Sequence, residues 1–292
     1  YCCRIQRLGC ILVDYDPPLC VFTSDKYMRC LPIWCHLFNK YWHNYREKNV
    51  VILGYSVPKF KDWDFPSNIK YFSLGEHQPV ERWSNKILEF LQTQKFDHIQ
   101  WCTEDSFLTH PVNFSIYFQL MAELTDSTVG RIALTNDFQA VTRKHTVIKK
   151  LSDFSLLEAD KNAKNRICGT WSLFSRECFF KVIKPNMSPW DLEDYSNPNY
   201  NIEDNVDFRI LGAGNNWPLR TTCAIRTTGK YQKLKIKPDQ RPLMLQPINE
   251  EPANHFGFQS REFPDDTFQE LKKMNFIDDE CKMTIKLETP VQ

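Results

Sequence analysis

The chain has 292 residues, of which 42% are hydrophobic and 25% are charged. This composition is typical of a folded globular protein, and it excludes an intrinsically disordered chain and a small disulfide-stapled scaffold. The 37 basic and 36 acidic side chains nearly balance, so there is no basic excess of the kind that nucleic-acid-binding domains carry, and we expect no nucleic-acid partner. Neither GxxxxGK[ST] nor GxGxxG occurs, which excludes the two common glycine-rich phosphate loops.

The eleven cysteines contain no CxxC pair, which excludes zinc-finger and thioredoxin-like motifs. Several lie inside apolar strand or helix patterns, where a free thiol behaves as a small buried hydrophobe. The sequence also lacks an apolar run of 18 residues and a signal-peptide pattern. We therefore expect a protein with free thiols and no membrane span, located in the cytoplasm.

Apolar runs and amphipathic segments alternate along the first 137 residues. The apolar runs predict strands, at residues 20–25, 49–55, 69–75, 98–102 and 129–137. Segments with apolar residues at three- and four-residue spacing predict helices, at residues 31–45, 80–93 and 111–124. This alternation predicts an α/β fold with a mainly parallel sheet flanked by helices.

The alternation weakens beyond residue 140. Four further features are expected there: a strand and a short helix within 167–185, a site-forming loop at 188–200, a helix at 201–211 and a hairpin at 220–236. The chain is thereby divided into an N-terminal extension (1–19), a main domain (20–215) and an irregular C-terminal segment (216–292) that wraps the main domain.

Two adjacent carboxylates, Glu104 and Asp105, follow the fourth predicted strand in WCTEDSFLTHPV. Acids at the end of a buried strand repel each other unless a cation neutralises them. Oxygen ligands suit Mg²⁺ or Mn²⁺, and a metal that bridges two phosphates would replace the missing glycine-rich loop. The equally supported alternative is a solvated acidic turn in which Asp105 or Thr109 caps the next helix.

A second acidic cluster surrounds Trp190 in SPWDLEDYSNP, with Asp191, Glu193 and Asp194. Like-charged neighbours raise a carboxylate pKa towards the range of a general base, and Trp190 would offer a flat surface to a sugar. On these residues alone, a solvated acidic loop with a buried tryptophan is the favoured interpretation.

Two further features are weaker. Arg82 and Trp83 would hold a phosphate or a base through charge and stacking, although Trp83 lies on the inward face of its predicted helix. His255 would reach a metal from the C-terminal segment, and the plainer interpretation is a surface histidine.

The order of these features resembles the small GT-A-fold glycosyltransferases of the type encoded by large DNA viruses of chlorella-like algae, with similar enzymes in bacteria and phages. The resemblance spans residues 20–215, and five sequence motifs carry it: TSDKY, VVILGY, the ED pair followed by FLTHPV, SLFSRECFF and SPWDLE. It implies a GT-A-like, that is Rossmann-like, sheet. It also implies that the nucleotide pocket is lined by Thr23, Ser24, Asp25 and Tyr27.

The resemblance further implies roles for the acidic residues. Glu104 and Asp105 stand where the family has a DxD-like metal motif, with Asp105 as the direct ligand. Glu193 becomes the general base near the acceptor, and Asp191 and Asp194 are the alternatives for that role. The chain departs from the family pattern because it has Thr-Glu-Asp instead of Asp-x-Asp, so the pattern does not determine the number of protein ligands.

We therefore expect a metal-dependent, inverting glycosyltransferase that uses a UDP-sugar, with UDP-xylose the first choice and rhamnose the second. The acceptor would be a glycan or glycoprotein, and a capsid-linked glycan in the host cytoplasm if the viral likeness holds. Two alternatives stay open. One is a metal-dependent nucleotide-sugar hydrolase, and the other is a non-catalytic carbohydrate-binding protein that uses Trp171, Trp190 and Trp217.

Overall fold

The structure is a computed structural model, and its core is a nine-stranded sheet with helices on both faces. It describes residues 16–42, 48–136, 138, 144–161, 163, 166–192, 207–223, 225–227, 255–257, 263–279 and 282–288. The predicted α/β class with a central sheet flanked by helices is confirmed. No helix among these residues has the length and apolar character needed to cross a bilayer.

The described elements are the following. The strands are β1 (Leu19–Phe22), β2 (Val50–Gly54), β3 (Ile69–Ser73), β4 (His98–Thr103), β5 (Ser106–Leu108), β6 (Val129–Ala133), β7 (His145–Lys150), β8 (Ser155–Ala159), β9 (Ser172–Ser175), β10 (Arg209–Gly214), β11 (Thr221–Cys223), β12 (Ile225–Thr227) and β13 (His255–Gly257). The helices are α1 (Leu31–Tyr41), α2 (Trp83–Thr93), α3 (Phe114–Glu123), α4 (Arg176–Val182) and α5 (Asp265–Lys273). Two short 3-10 helices, Met28–Cys30 and Val80–Arg82, lead into α1 and α2.

The sheet has the strand order β3-β2-β1-β4-β9-β6-β10-β8-β7. The four strands from β3 to β4 are mutually parallel. Strand β9 is antiparallel to both β4 and β6, β10 is parallel to β6, and β8 is antiparallel to both β10 and β7. Seven strands therefore run in one direction and two run in the other, so the sheet is mostly parallel but mixed.

Each face of the sheet has its own hydrophobic core. Helices α1, α3 and α5 cover one face and pack around residues such as Trp34 and Tyr117. Helices α2 and α4 cover the other face and pack around Trp83, Trp101 and Phe179. Since both faces are covered, central strands such as β1, with the sequence LCVF, are apolar throughout and do not alternate.

Two sequence predictions about secondary structure are wrong, and a third is described only in part. A short strand, β5, directly follows the acidic pair and pairs with β11, where the sequence predicted only a loop leading to a helix. The expected hairpin at 220–236 is described only in part: β11 pairs with β5, β12 pairs with β13, and residues 228–236 lie outside the described ranges. The end of the expected helix at 201–211 belongs to β10, because residues 209–211 pair with β6, while residues 201–206 lie outside the described ranges.

The position of β1 in the sheet creates the candidate site. From β1 the chain moves outward to β2 and β3, and it then returns to place β4 on the other side of β1. In open α/β sheets such a reversal of strand order leaves a crevice outside the carboxyl ends of the strands. The last residues of the two strands, Phe22 and Thr103, are aligned in register. Residues 23–25 and 104–105 therefore emerge side by side.

Candidate functional site

The carboxylate of Glu104 is bound by the end of β1. The backbone N–H of Glu104 donates to the carbonyl oxygen of Phe22 (3.1 Å), and the N–H of Ser24 donates to Glu104 Oε1 (3.4 Å). The Thr23 side chain hydrogen-bonds the same carboxylate. These contacts confine Glu104 to the boundary between β1 and β4, and only 5% of the residue is exposed.

Asp105 is the second residue of the tight turn between β4 and β5. The Thr103 hydroxyl donates to Asp105 Oδ1 over 2.6 Å, which orients the carboxylate. The alternative in which Asp105 or Thr109 caps the next helix is wrong, because α3 begins at Phe114 and is capped by Asn113, whose side chain accepts from the N–H of Ile116. A solvated acidic turn is also wrong for Glu104, because Glu104 is buried.

The two carboxylates form a pair of acids without an ion-pair partner among the described residues. Burial, and next the charge of Asp105, hold the pKa of Glu104 well above its usual range, against the opposing hydrogen bonds from its own backbone, Ser24 and Thr23. Burial also raises the pKa of Asp105, while its bond from Thr103 opposes the shift. Within the described ranges, no lysine, arginine or histidine forms an ion pair with either. A cation would therefore be strongly favoured here.

The donor set suits a hard divalent cation whose coordination a substrate completes. No group of three or more His, Cys, Asp or Glu side chains in the described part of the chain could hold a metal ion by itself. Mg²⁺ in particular is commonly held by one or two carboxylates together with substrate phosphates and water. Glu104 and Asp105 fit that arrangement. The side chain of His255 lies outside the described residues, so its role as a metal ligand stays a prediction.

Asp25 connects the loop after β1 to the loop after β2. Its Oδ1 accepts from the backbone N–H of Ser56 (3.0 Å), and its Oδ2 accepts from the Ser56 hydroxyl (2.6 Å). Tyr27 follows in the same loop, where its N–H donates to the carbonyl oxygen of Ser24 (2.9 Å). The structure therefore brings together all four residues predicted to line the nucleotide pocket. It also shows that Asp25 helps to hold the loop.

Tyr71 is a site residue that the sequence analysis missed. Its hydroxyl donates to the carbonyl oxygen of Ser56 (2.6 Å). Burial, followed by the charges of Asp25 and Glu104, raises its pKa. The sequence feature that could have indicated Tyr71 is Gly54, because a glycine inside a strand often marks the close approach of another group. A Cβ at position 54 would lie 2.1 Å from the Tyr71 hydroxyl.

Arg82 and Trp83 separate in the structure. Arg82 is exposed at the end of the 3-10 helix, at the same edge of the sheet. Trp83 is 5% exposed and packs edge-to-face against Phe22 (ring centroids 5.2 Å apart) and Trp101 (6.1 Å). The prediction that Trp83 stacks on a nucleotide base is therefore wrong, since core side chains occupy the space around its ring.

The second acidic cluster is described only in part. The carboxylate of Asp191 accepts from the N–H of Ser188 (2.7 Å), and the Ser188 hydroxyl accepts from the N–H of Asp191 (3.2 Å). Asp191 therefore closes a local turn. Glu193 and Asp194 lie outside the described residues, and the base role of Glu193 stays a prediction.

The three tryptophans of the carbohydrate-binding alternative have different environments. Trp171 is fully buried, stacks on Trp34 (5.8 Å) and donates from Nε1 to the carbonyl oxygen of Ser106 (3.2 Å). Trp217 is half-buried and packs against the core. Of these three tryptophans only Trp190 is exposed. They therefore do not form the shared surface on which a carbohydrate-binding protein would stack a sugar.

Comparison with known proteins adds no family assignment. No model of a known protein family matches this chain, and no curated protein is significantly similar to it. The chemistry at the carboxyl ends of β1 and β4 is therefore the basis for proposing a function.

Proposed function

We propose that the chain is a metal-dependent glycosyltransferase that takes a sugar from a UDP-sugar and transfers it to a glycan or glycoprotein hydroxyl. The observation that carries the proposal is the Glu104–Asp105 pair, which lies where the strand order reverses and has no ion-pair partner in the described part of the chain. That point is where α/β proteins bind nucleotides. The mixed sheet with the order β3-β2-β1-β4 and helices on both faces supports the finer assignment to the GT-A fold.

Asp105 and Glu104 would hold Mn²⁺ or Mg²⁺ in this proposal. The metal, when bound, supplies positive charge where negative charge develops on the departing diphosphate. The chain's own contribution is to fix the ligands before the donor arrives. Thr103 orients Asp105, while Ser24 and Thr23 orient Glu104. Such preorganisation lowers the cost of reorganising charged groups during the reaction.

The transfer itself is a single displacement with inversion. An acceptor hydroxyl oxygen forms a bond to the anomeric carbon as the bond from that carbon to the diphosphate oxygen breaks, and UDP leaves with the bonding electrons. Glu193 would take the hydroxyl proton as general base. It follows Leu192, which is buried in the same core as Trp83 at the N-terminus of α2. The base role of Glu193 rests on the resemblance, since the described segment ends at Leu192.

The substrates are proposed from the resemblance described above. UDP-xylose is the first choice of donor and a rhamnose donor is the second. If the chain is viral, the acceptor would be a capsid-linked glycan assembled in the host cytoplasm. Donor selectivity depends on individual hydrogen bonds to sugar hydroxyls, so the panel to be tested should include donors that differ by one such group.

The experiment that tests the proposal is UDP release from a panel of UDP-sugars with Mn²⁺, in the presence and absence of mixed methyl pyranosides. Release that increases at least tenfold with a pyranoside supports a transferase. Equal release with and without pyranoside supports the hydrolase alternative and contradicts the proposal. Asp105→Ala should abolish release, whereas Asp97→Ala, which removes an exposed carboxylate just before the other end of β4, should retain it.

A further inference from the structure

We propose that Trp190 is the platform on which the acceptor sugar stacks, and this inference rests on the function proposed above. Trp190 is 65% exposed. Burial of an indole is normally favourable, although a single exposed apolar side chain is by itself ordinary. The question is whether this exposure is incidental or built into the site.

The loop that carries Trp190 is firmly anchored. The hydroxyl of Ser84 donates to the carbonyl oxygen of Lys184 (2.6 Å) and accepts from the N–H of Met187 (3.0 Å). The N–H of Ser84 donates to the carbonyl oxygen of Met187 (3.2 Å). Both Met187 and Leu192, on either side of Trp190, are buried in the core. The indole therefore projects from a fixed support.

A second set of contacts immobilises the same loop. The side chain of Asn85 accepts from the N–H of Asn186 (2.7 Å) and donates to the Asn186 side chain (3.0 Å). Asn186 has a positive φ of 60°, a conformation that such paired bonds help to maintain. The turn between Ser188 and Asp191 then closes around Trp190. An aromatic side chain on an ordered backbone loses less conformational entropy on binding than one on a disordered loop.

The loop lies at the same edge of the sheet as the carboxylate pair. Its anchor, Ser84, is in the first turn of α2, which follows β3 and therefore begins at the carboxyl edge of the parallel strands. The neighbouring Trp83 packs against Phe22, the last residue of β1, and its carbonyl oxygen accepts from Tyr55 Oη (3.5 Å) just after β2. The support of the Trp190 loop therefore lies at the carboxyl edge of the sheet, on the α2 side.

The size of the exposed surface indicates the occupant. A stable protein partner buries about 800 Å² on each side, far more than one indole offers. A pyranose ring presents a flat face of C–H groups that matches one indole, and aromatic side chains with a few polar groups are typical of small-ligand sites. We therefore assign Trp190 to the acceptor sugar. The nucleotide is assigned to the crevice between β1 and β4.

The test compares Trp190→Ala and Trp190→Phe with the wild type in transfer to methyl pyranosides. Trp190→Ala should raise the acceptor KM about tenfold, and Trp190→Phe should recover part of that loss because a smaller aromatic face remains. Calorimetric affinity for UDP with Mn²⁺ should stay within twofold in both variants. Phe72→Ala is the matched control, since Phe72 is an exposed aromatic on the outer strand β3 and should leave the acceptor KM unchanged.

Three results would count against the inference in distinguishable ways. An unchanged acceptor KM in Trp190→Ala, with transfer intact in the wild type, overturns the platform alone. Wild-type protein that neither binds UDP nor turns over a UDP-sugar overturns the proposed function and the platform with it. Wild-type dimers in sedimentation that Trp190→Ala converts to monomers would assign the indole to contact with a second copy and overturn the sugar assignment.

Discussion

Ser24 and Glu104 are 80 residues apart in the sequence, yet the N–H of Ser24 donates to Glu104 Oε1. The contact exists because β1 and β4 are parallel neighbours that end at the same level. The hydrogen bond holds the Glu104 carboxylate in a buried position, where no lysine, arginine or histidine of the described residues forms an ion pair with it. This arrangement should cost stability that is recovered when a cation binds.

Glu104→Gln should therefore stabilise the metal-free protein at neutral pH, by about 1 kcal/mol. Because the pKa of Glu104 is raised in the folded state, the folded protein binds the proton more tightly than the unfolded chain. The wild type should thus lose stability as pH rises through that pKa, and the glutamine variant should lack this loss. Denaturant unfolding of both proteins in EDTA at pH 5 and 7.5 measures the difference in their free energies of unfolding. Asp97→Asn is the control and should leave the stability unchanged. If it does, a Glu104→Gln variant that is less stable than the wild type at pH 7.5 would contradict the prediction.

Gly54→Ala should disturb the site through Tyr71. A Cβ at this position would lie 2.1 Å from the Tyr71 hydroxyl and 2.7 Å from Thr23 Cγ2, so the neighbours must move. We expect a cost of about 1–3 kcal/mol, as for other overpacked positions. In a double-mutant cycle, Tyr71→Phe should recover part of that cost because it removes the nearest atom. Strictly additive effects of the two changes would show that the clash is relieved elsewhere.

Lys48 should make a pH-dependent contribution at the opposite edge of the sheet. Its side chain is 1% exposed, forms an ion pair with Asp16 and lies 3.2 Å from Tyr117 Oη. Burial lowers the pKa of Lys48 to about 8, against the opposing charge of Asp16. Between pH 8 and the ordinary lysine value near 10.5, the folded protein binds fewer protons than the unfolded chain, so this contribution should increase with pH.

Lys48→Met isolates that contribution. The stability of the wild type minus that of the variant should become more favourable from pH 7.5 to 9.5, and the comparison cancels the effects of other groups that titrate in the same range. Urea unfolding of both proteins at each pH provides the measurement. A flat difference over this range would show that Lys48 keeps an ordinary pKa, and a falling one would show a raised pKa. Either result would contradict the prediction.

The cysteines should differ sharply in reactivity. Among the described cysteines, Cys223 is exposed and six are buried. The buried ones are Cys20, Cys30, Cys35, Cys102, Cys168 and Cys178. Burial raises the pKa of Cys20 to about 12, and a protonated thiol is a poor nucleophile. Alkylation of native protein with iodoacetamide, followed by peptide mapping, should label Cys223 and spare these six until denaturant is added. Rapid native labelling of Cys102 would contradict the burial described here.

The sequence was informative where local pattern determines structure. The run 20–25 and the pair Glu104–Asp105 could be placed at strand ends because apolar runs and the polar residues that follow them are local signals. The parallel direction of the first four strands followed from the strand and helix alternation. Their convergence at one edge then followed from the general geometry of α/β sheets.

The remaining features depend on contacts between distant segments. Strand β5 exists because it pairs with β11, more than 100 residues later, and three residues alone carry no strand signal. Tyr71 reaches the site because Gly54 leaves space for its hydroxyl, a relationship between two strands. The sequence offered Trp83, next to Arg82, as a residue that could stack on a base, but Trp83 packs against Phe22 and Trp101 and belongs to the core. Such pairings leave no periodic pattern in a single sequence.

The most direct test of the central claim is calorimetric titration of UDP into the wild type, Asp105→Ala and Asp97→Ala, each with Mn²⁺ and with EDTA. The account predicts micromolar binding that requires Mn²⁺, is lost in Asp105→Ala and is retained in Asp97→Ala. Binding of UDP that is equally strong in EDTA, or that survives in Asp105→Ala, would contradict a metal-assisted site at the end of β4. Absence of UDP binding by the wild type under both conditions would contradict the UDP-sugar assignment altogether.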